Sequence, residues 1–420
     1  MKRFFLVIVC SVALQAEILS LKECIDKTLK NHPDVKSFVL SLEESKQDLS
    51  SSRSAYRPQL SAHLEYDPSR TYVMPQNGRF MTKDDDLGHA DIMLRQKVWD
   101  FGKTTNRIDA AKMQKEISRL SLEDLKNRLR LRVEQVYDLL LLQKEMIALR
   151  EHDLKTKQAL YKQALAMQKQ GLKTKADAAR FLAAVYNAKE ALSASKASYA
   201  KAKKSLEFLM GESIAKETTF ENDLLRLEKL KLSDGDKERL RKALLQNPSL
   251  RKIAKEIEKA DRLYKAAKSE RYGSIDLVAS ATHEESLSDY DTKMVGIKAE
   301  IPLYLGGKIK AQAQKAKIAR AKVKSMYDSA LLSYREKLEA LFIDLAHTDT
   351  AIAAKAESIK ASDEALRLIR GRYKVGLATY LQLLDALSAY KSAQTAYIGA
   401  LAQKSDILYQ IKSLTGADKL

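Results

Sequence analysis

The sequence predicts a mainly helical chain with a small membrane β-barrel, built from one unit that occurs twice. Each unit is expected to supply a long antiparallel helical hairpin and two strands. That makes four strands per chain and, from a trimer, a 12-stranded barrel. Three observations point there. "KQGLKT" at Lys169–Thr174 returns as "KVGLAT" at Lys374–Thr379, so the offset from 169 to 374 is 205 residues. Only 14 Gly and 6 Pro occur in 420 residues, and Ala, Leu, Lys, Glu, Ser and Gln dominate, a composition of long helices. Four short runs alternate apolar and polar residues with period two, the mark of strands.

A targeting segment opens the chain. Lys2 and Arg3 precede the apolar run Phe4–Leu14, and Ala16 offers a small residue for cleavage before Glu17. Residues 1–16 are read as a signal peptide, too short to span a membrane as a helix. Cys10 inside it has a second reading, as a lipid-attachment cysteine. Cys24 is otherwise the sole mature cysteine, so no intramolecular disulfide can form. Removing Lys2 and Arg3 takes the formal charge from +19 to +17. Lys and Glu are interspersed along the whole chain, the texture of solvated helix faces. Export also takes the chain away from nucleic acid, and no nucleic-acid partner is expected.

The first repeat is assigned to 17–211, a linker or equatorial segment to 212–236, and the second repeat to 237–420. Gly211 of "LMG" matches Gly416 of "LTG", Gly102 of "WDFGK" matches Gly307 of "YLGGK", and Pro33 of "NHPDVK" resembles Pro248 of "NPSLRK". Each repeat opens with a helix, Leu21 to about Ala55 and Lys237 to about Glu270. Strands follow at about 58–67 and 89–100, and at about 273–283 and 293–304. In the first, Leu60, Ala62, Leu64 and Tyr66 share one face, and Gln59, Ser61, His63 and Glu65 the other. The polar, turn-rich stretches between the strands of each pair are read as loops. Then come uninterrupted helical stretches, Lys103 to about Gln170 and Lys308 to about Val375. At 1.5 Å per residue each extends about 100 Å. Gly171 and Gly376 reverse the chain, and helices return over about Lys175–Met210 and Tyr380–Leu414. The hairpin tips therefore fall at about 169–176 and 374–380.

Four strands with one apolar face cannot close a barrel alone, and open strand edges are prohibited in lipid. Several chains sharing one barrel is the simplest escape, and three would supply twelve strands, an even number as bacterial barrels require. Trp99 and Tyr304 are expected at strand ends, as membrane-interface aromatics. The other reading of the alternation is a soluble antiparallel sheet with one buried face. No enzyme is read here: no catalytic residues, no metal site and no cofactor. The six histidines, 32, 63, 89, 152, 283 and 347, form no ligand-spaced pair on a helix, and "GGK" at Gly306 lacks the rest of a Walker motif.

"GLATYLQLLDALSAYKSAQTAYIGALAQKSDILYQIKSLTG", Gly376–Gly416, resembles the signature of TolC-type outer-membrane efflux ducts. "NHPDVK", the exits "VWDFGK" and "PLYLGGK" and the duplication match as well, over essentially the whole mature chain. The resemblance implies a homotrimer in the outer membrane of a Gram-negative bacterium, touching outer-membrane lipid, with a helical periplasmic tunnel. It implies a passive duct for small molecules or proteins in tripartite efflux or type I secretion, with an inner-membrane transporter and a periplasmic adaptor as partners. It places Tyr373 and Asp177 as a link between the two hairpins and Asp385 as an acidic ring at the pore entrance. Gln382 stands where a second Asp ring is expected, and Ala378 where a constricting Arg is. Gly171, Leu172, Gly376 and Leu377 fall where the adaptor docks. The plainer readings are that Asp177 and Asp385 favour a helix start and that the glycines are C-caps. The rival from another class is a secreted coiled-coil structural protein or adhesin without a pore.

Overall fold

In a computed structural model, the chain is described over residues 18–171, 174–215, 218–221 and 230–416. The signal segment with Cys10, Leu172 and part of the 212–236 linker lie outside the described residues. The elements run β1 (Ile18–Leu19), α1 (Leu21–Asn31), α2 (Pro33–Ser54), β2 (Gln59–Gln76), β3 (Arg79–Trp99), α3 (Lys103–Lys169), α4 (Lys175–Met210), β4 (Thr219–Phe220), α5 (Asp234–Ala243), α6 (Pro248–Ser269), β5 (Ser274–Glu285), β6 (Tyr290–Glu300), α7 (Lys308–Lys374) and α8 (Tyr380–Thr415). The compact units are not the two repeats. One gathers residues up to Lys36, Asp124–Asn247 and Ser333–Leu420; the other gathers Ser37–Glu123 and Pro248–Leu332.

Each repeat's opening helix is two helices rather than one. The breaks fall at His32 and at Leu244–Asn247, ahead of Pro33 and Pro248. Proline pushes its preceding residue out of the helical region but suits the first turn of a new helix. The breaks have a use. Asn31 Nδ2 donates to the Met210 carbonyl at 3.1 Å and Asn247 Nδ2 to the Leu414 carbonyl at 2.9 Å, capping the ends of α4 and α8.

In the second unit, four strands form one antiparallel sheet in the order β2-β3-β5-β6. Leu60, Leu64, Val295 and Ile297 lie on one face and are all more than 70 % exposed in the single chain. No helix among the described residues is long and apolar enough to cross a membrane. The run of exposed apolar side chains makes this sheet face the lipid-facing candidate. The segment between the first two strands is not a loop. Both strands run on to a two-residue turn at Asn77–Gly78, with φ of 52° and 80°. That is the left-handed pair a tight hairpin demands. The alternation fades over this extension because both of its faces can be wet. A bulge between Lys97 and Trp99 brings Trp99 opposite Ile275 on the apolar face. Tyr304 does not end a strand: the ladder stops at Glu300, ahead of Pro302, and Tyr304 lies beyond it, largely exposed. Proline cannot extend a ladder.

At the exit of β3 the buried Asp100 accepts from the Thr104 amide at 2.8 Å and from the Tyr56 hydroxyl at 3.1 Å. It caps α3, while Phe101 and Gly102 turn the chain at positive φ. This is the local meaning of "WDFGK".

In the first unit, α1 and α4 pack on Val133, Val136, Tyr137 and Leu140 of α3. Cys24 is fully buried in that cluster, and burial pushes its thiol up to about 12. The Tyr137 hydroxyl donates to the Leu19 and Glu221 carbonyls at 3.0 and 2.9 Å, pinning the β1–β4 pair to α3. The lysines are not all a surface coat. Between α3, α7 and α8 runs a polar ladder of buried and partly buried groups: Lys412 to Glu134 at 3.1 Å, Gln135 to Asp406 at 2.8 Å, Ser405 to Asp138, and Lys404 to Asp349 at 2.7 Å.

Burial lifts the Glu134 carboxyl above its ordinary range, against the pull of Lys412. Its folded pKa is thus above the unfolded one, so its contribution to stability is present at acid pH and fades as pH rises through the raised value. Lys412→Met removes the opposing cation and raises that value further. The apparent Tm of the variant is expected to fall more at pH 7.5 than at pH 5, measured by circular dichroism. An equal loss at both pH values would sink this account.

Candidate functional site

The two hairpin tips share one local grammar. At the second, Gly376 sits at φ +79°, its amide donates to the Tyr373 carbonyl at 3.2 Å, and the Leu377 amide donates to the Arg372 carbonyl at 2.8 Å. This is a glycine C-cap closed by a six-to-one bond. Thr379 then caps α8: its hydroxyl accepts from the Gln382 amide at 3.2 Å, and Gln382 Oε1 accepts from the Thr379 amide at 2.9 Å. At the first tip Gly171 sits at φ +73°, and Thr174 and Asp177 make the same reciprocal box at 3.2 and 3.1 Å. The repeated Lys-x-Gly-Leu-x-Thr is therefore a stop followed by a start. Gly supplies the left-handed turn and Thr the first-turn acceptor.

Behind the tips, side chains from four helices close one apolar cluster. Leu160 and Ala164 of α3, Phe181 of α4, Leu366 and Tyr373 of α7, and Leu383 and Leu387 of α8 are all buried in it. The Phe181 ring meets Tyr373 edge-on at 6.3 Å and Tyr380 at 6.1 Å, and the Arg180 guanidinium lies 5.0 Å from the Tyr380 ring centre. Aromatic pairs in this geometry add to what burial alone contributes. Burial pushes the Tyr373 hydroxyl above its ordinary range, and the negative charge of Asp177 pushes it further. Asp177 also serves as the capping acid of its own helix.

Gln382 and Asp385 stand exposed on the first turns of α8, and Gly171, Gly376 and Leu377 are exposed at the tips. Ala378 is buried in the cluster rather than facing out. Phe181 reads in the sequence only as part of the apolar stripe of the returning helix and Tyr380 only as a helix start, and Arg180 carries no sign of a role at the tip. A signal was available: across the 205-residue offset, Phe181 aligns with Ala386, Tyr380 with Lys175 and Tyr373 with Gln168. The two copies differ at these three positions, where one hairpin must fit the other.

Further along the same helices, Lys391 is buried, with its ammonium 3.2 Å from His152 Nδ1 and 3.1 Å from Gln394 Oε1. Burial holds it below its ordinary range, against the pull of Asp153, which itself pairs with Lys157 at 2.9 Å.

The family model for outer membrane efflux proteins matches residues 24–212 and 240–417. The chain belongs to that family. The outer membrane efflux protein BepC of Brucella suis biovar 1 (strain 1330) is 25 % identical over 403 residues, spanning 94 % of this chain and 85 % of BepC. The solved structure of CusC superposes with a TM-score of 0.84 at 17 % identity, covering 96 % of this chain and 95 % of CusC. VceC of Vibrio cholerae gives 0.81 at 16 %, covering 94 % and 96 %. The open state of the MtrE channel of Neisseria gonorrhoeae gives 0.78 at 21 %, covering 94 % and 89 %.

The efflux protein described here is therefore an outer-membrane channel component with a periplasmic helical tunnel. Its open-edged sheet is one third of the family's 12-stranded trimeric barrel. The family consists of channel proteins, not enzymes. Its members form trimers and work with adaptors and inner-membrane transporters. A coiled-coil adhesin without a pore is not favoured.

Proposed function

We propose that this chain is the passive outer duct of a tripartite pump, and that the clustered hairpin tips are its periplasmic gate. A periplasmic adaptor docks on the exposed glycines and Leu377 at the tips, and an inner-membrane transporter supplies the energy. What supports the gate is the buried Tyr373, packed edge-on against Phe181, so that one hairpin cannot swing without uncovering a ring seated in the other. Three copies of Asp385 form an acidic ring at the mouth and attract cations. Gln382, which carries no charge, makes that mouth less acidic than two Asp rings would.

Single-channel conductance in a planar bilayer tests this. The wild type is expected to give small, flickering openings, and Tyr373→Phe with Asp177→Ala larger and longer ones. Gln382→Ala removes the equivalent capping group from the other tip and is expected to leave conductance unchanged. A double variant that conducts like the wild type, or a Gln382→Ala that opens equally wide, would remove the gate from this site.

A further inference from the structure

We propose that the lumen wall of the barrel carries a binding site for a divalent transition-metal ion, formed by His63, His89 and Asp91 with Glu284 behind them. The ligand atoms of the first three lie within 4.8 Å of one another. His63 Nδ1 is 3.5 Å and His89 Nε2 is 3.6 Å from the same oxygen of Asp91. These separations exceed those of a hydrogen bond. They match a shared ion: ligands bound at about 2.1 Å in a tetrahedral site stand about 3.4 Å apart. A plain His–Asp pair on this sheet looks different. His283 and Asp291, across β5 and β6, close to 2.9 Å.

The second nitrogen of His89, Nδ1, lies 3.6 Å from Glu284 Oε2 on β5. A carboxylate behind a ligating imidazole fixes its tautomer and strengthens it as a donor. The partners come from three adjacent strands, with His63 opposite Asp91 and His89 opposite Glu284 in register. All sit on the face opposite Leu60, Leu64 and Ile92, so they look into the aqueous lumen when the apolar face meets lipid. His63 is exposed and the other two ligands are partly so, which leaves the ion accessible from the pore. Two imidazoles and one carboxylate select borderline divalent ions such as zinc, nickel or copper over magnesium or calcium. Three protein ligands leave at least one position to water, which suits an ion that exchanges rather than one that holds the fold together.

The test is zinc titration of the purified, detergent-extracted full-length protein by equilibrium dialysis against a chelator of known affinity. One zinc per chain is expected, unmoved by millimolar magnesium. His63→Ala with His89→Ala is expected to abolish it, and Glu284→Gln to weaken it about 10–100-fold. His283→Ala, on the other face, is the control expected to bind as the wild type does. His63→Ala alone, at an exposed side chain, serves if the double variant does not assemble; it is expected to weaken zinc at least tenfold. Unchanged zinc stoichiometry and affinity in His63→Ala, or displacement by magnesium, overturns the site. The titration needs no gate: a chain that holds zinc while Tyr373→Phe with Asp177→Ala conducts like the wild type would remove the proposed gate and leave this site standing.

Discussion

Gly273→Ala is expected to abolish the assembled barrel, the largest effect of any single methyl group in this chain. Gly273 links α6 to β5 at φ +77° and ψ −153°, backbone space that belongs essentially to glycine. That conformation alone costs another residue about 1–3 kcal/mol. The added Cβ would also sit 1.9 Å from the carbonyl oxygen of Glu300 and 2.9 Å from its carbon. Those are backbone atoms at the end of β6, which no rotamer change can move aside. β6 is an edge of the four-stranded sheet and must present a straight ladder to the next copy. The expected readout is loss of the heat-resistant trimer on a semi-denaturing gel, with the chain absent from the outer-membrane fraction. Gly307→Ala is the comparison. It shares a positive φ of 83° but faces open space, so it is expected to cost only about 1 kcal/mol and still assemble. A stable Gly273→Ala trimer would mean that β6 ends elsewhere.

Lys404→Met should be the most damaging loss of a charge. Lys404 is 1 % exposed on α8, and its ammonium lies 2.7 Å from Asp349 on α7. One residue on, Ser405 donates to the buried Asp138 of α3. Methionine fills a similar volume but leaves the carboxylates of this layer short of a cation. Breaking a buried pair by removing one partner costs about 3–5 kcal/mol. Lys360→Met, at an exposed pair with Glu357, is expected to change stability by less than about 0.5 kcal/mol. Thermal unfolding followed by circular dichroism decides between them. A Lys404→Met protein as stable as the wild type would reduce the ladder to incidental polarity.

The sequence was most legible where the deciding interactions are local. A glycine at positive φ and a threonine capping its own third neighbour act within six residues, so "KQGLKT" and "KVGLAT" announce their turns unaided. Residues 103–169 and 308–374 carry no proline and keep their helical texture throughout, which marks α3 and α7. The alternation of Leu60, Ala62 and Leu64 was readable because a lipid-facing strand has two chemically different sides. Past Tyr66 that contrast fades, and the strand continued unread although Asn77–Gly78 marked its turn.

The rest was settled by partners far apart in the chain. Lys404 and Lys360 look alike in a row of lysines, and only the packing of α3, α7 and α8 decides which one is desolvated. Phe181 and Tyr373 meet across 192 residues because two hairpin tips, similar in sequence, are not identical in fit. His63 and Asp91 face each other only because a bulge between Asp67 and Arg70 shifts the β2–β3 register by one residue. Without it the side chains from Gln59 to Asp67 would meet different partners, since a one-residue slip exchanges the faces of a strand. Sequence alone determined the duplicated helical hairpins and the apolar sheet face, because local geometry and hydration set them. Tertiary structure decided which charges are buried, which rings lock the tips and which ligands converge, because those depend on register and on distance in space.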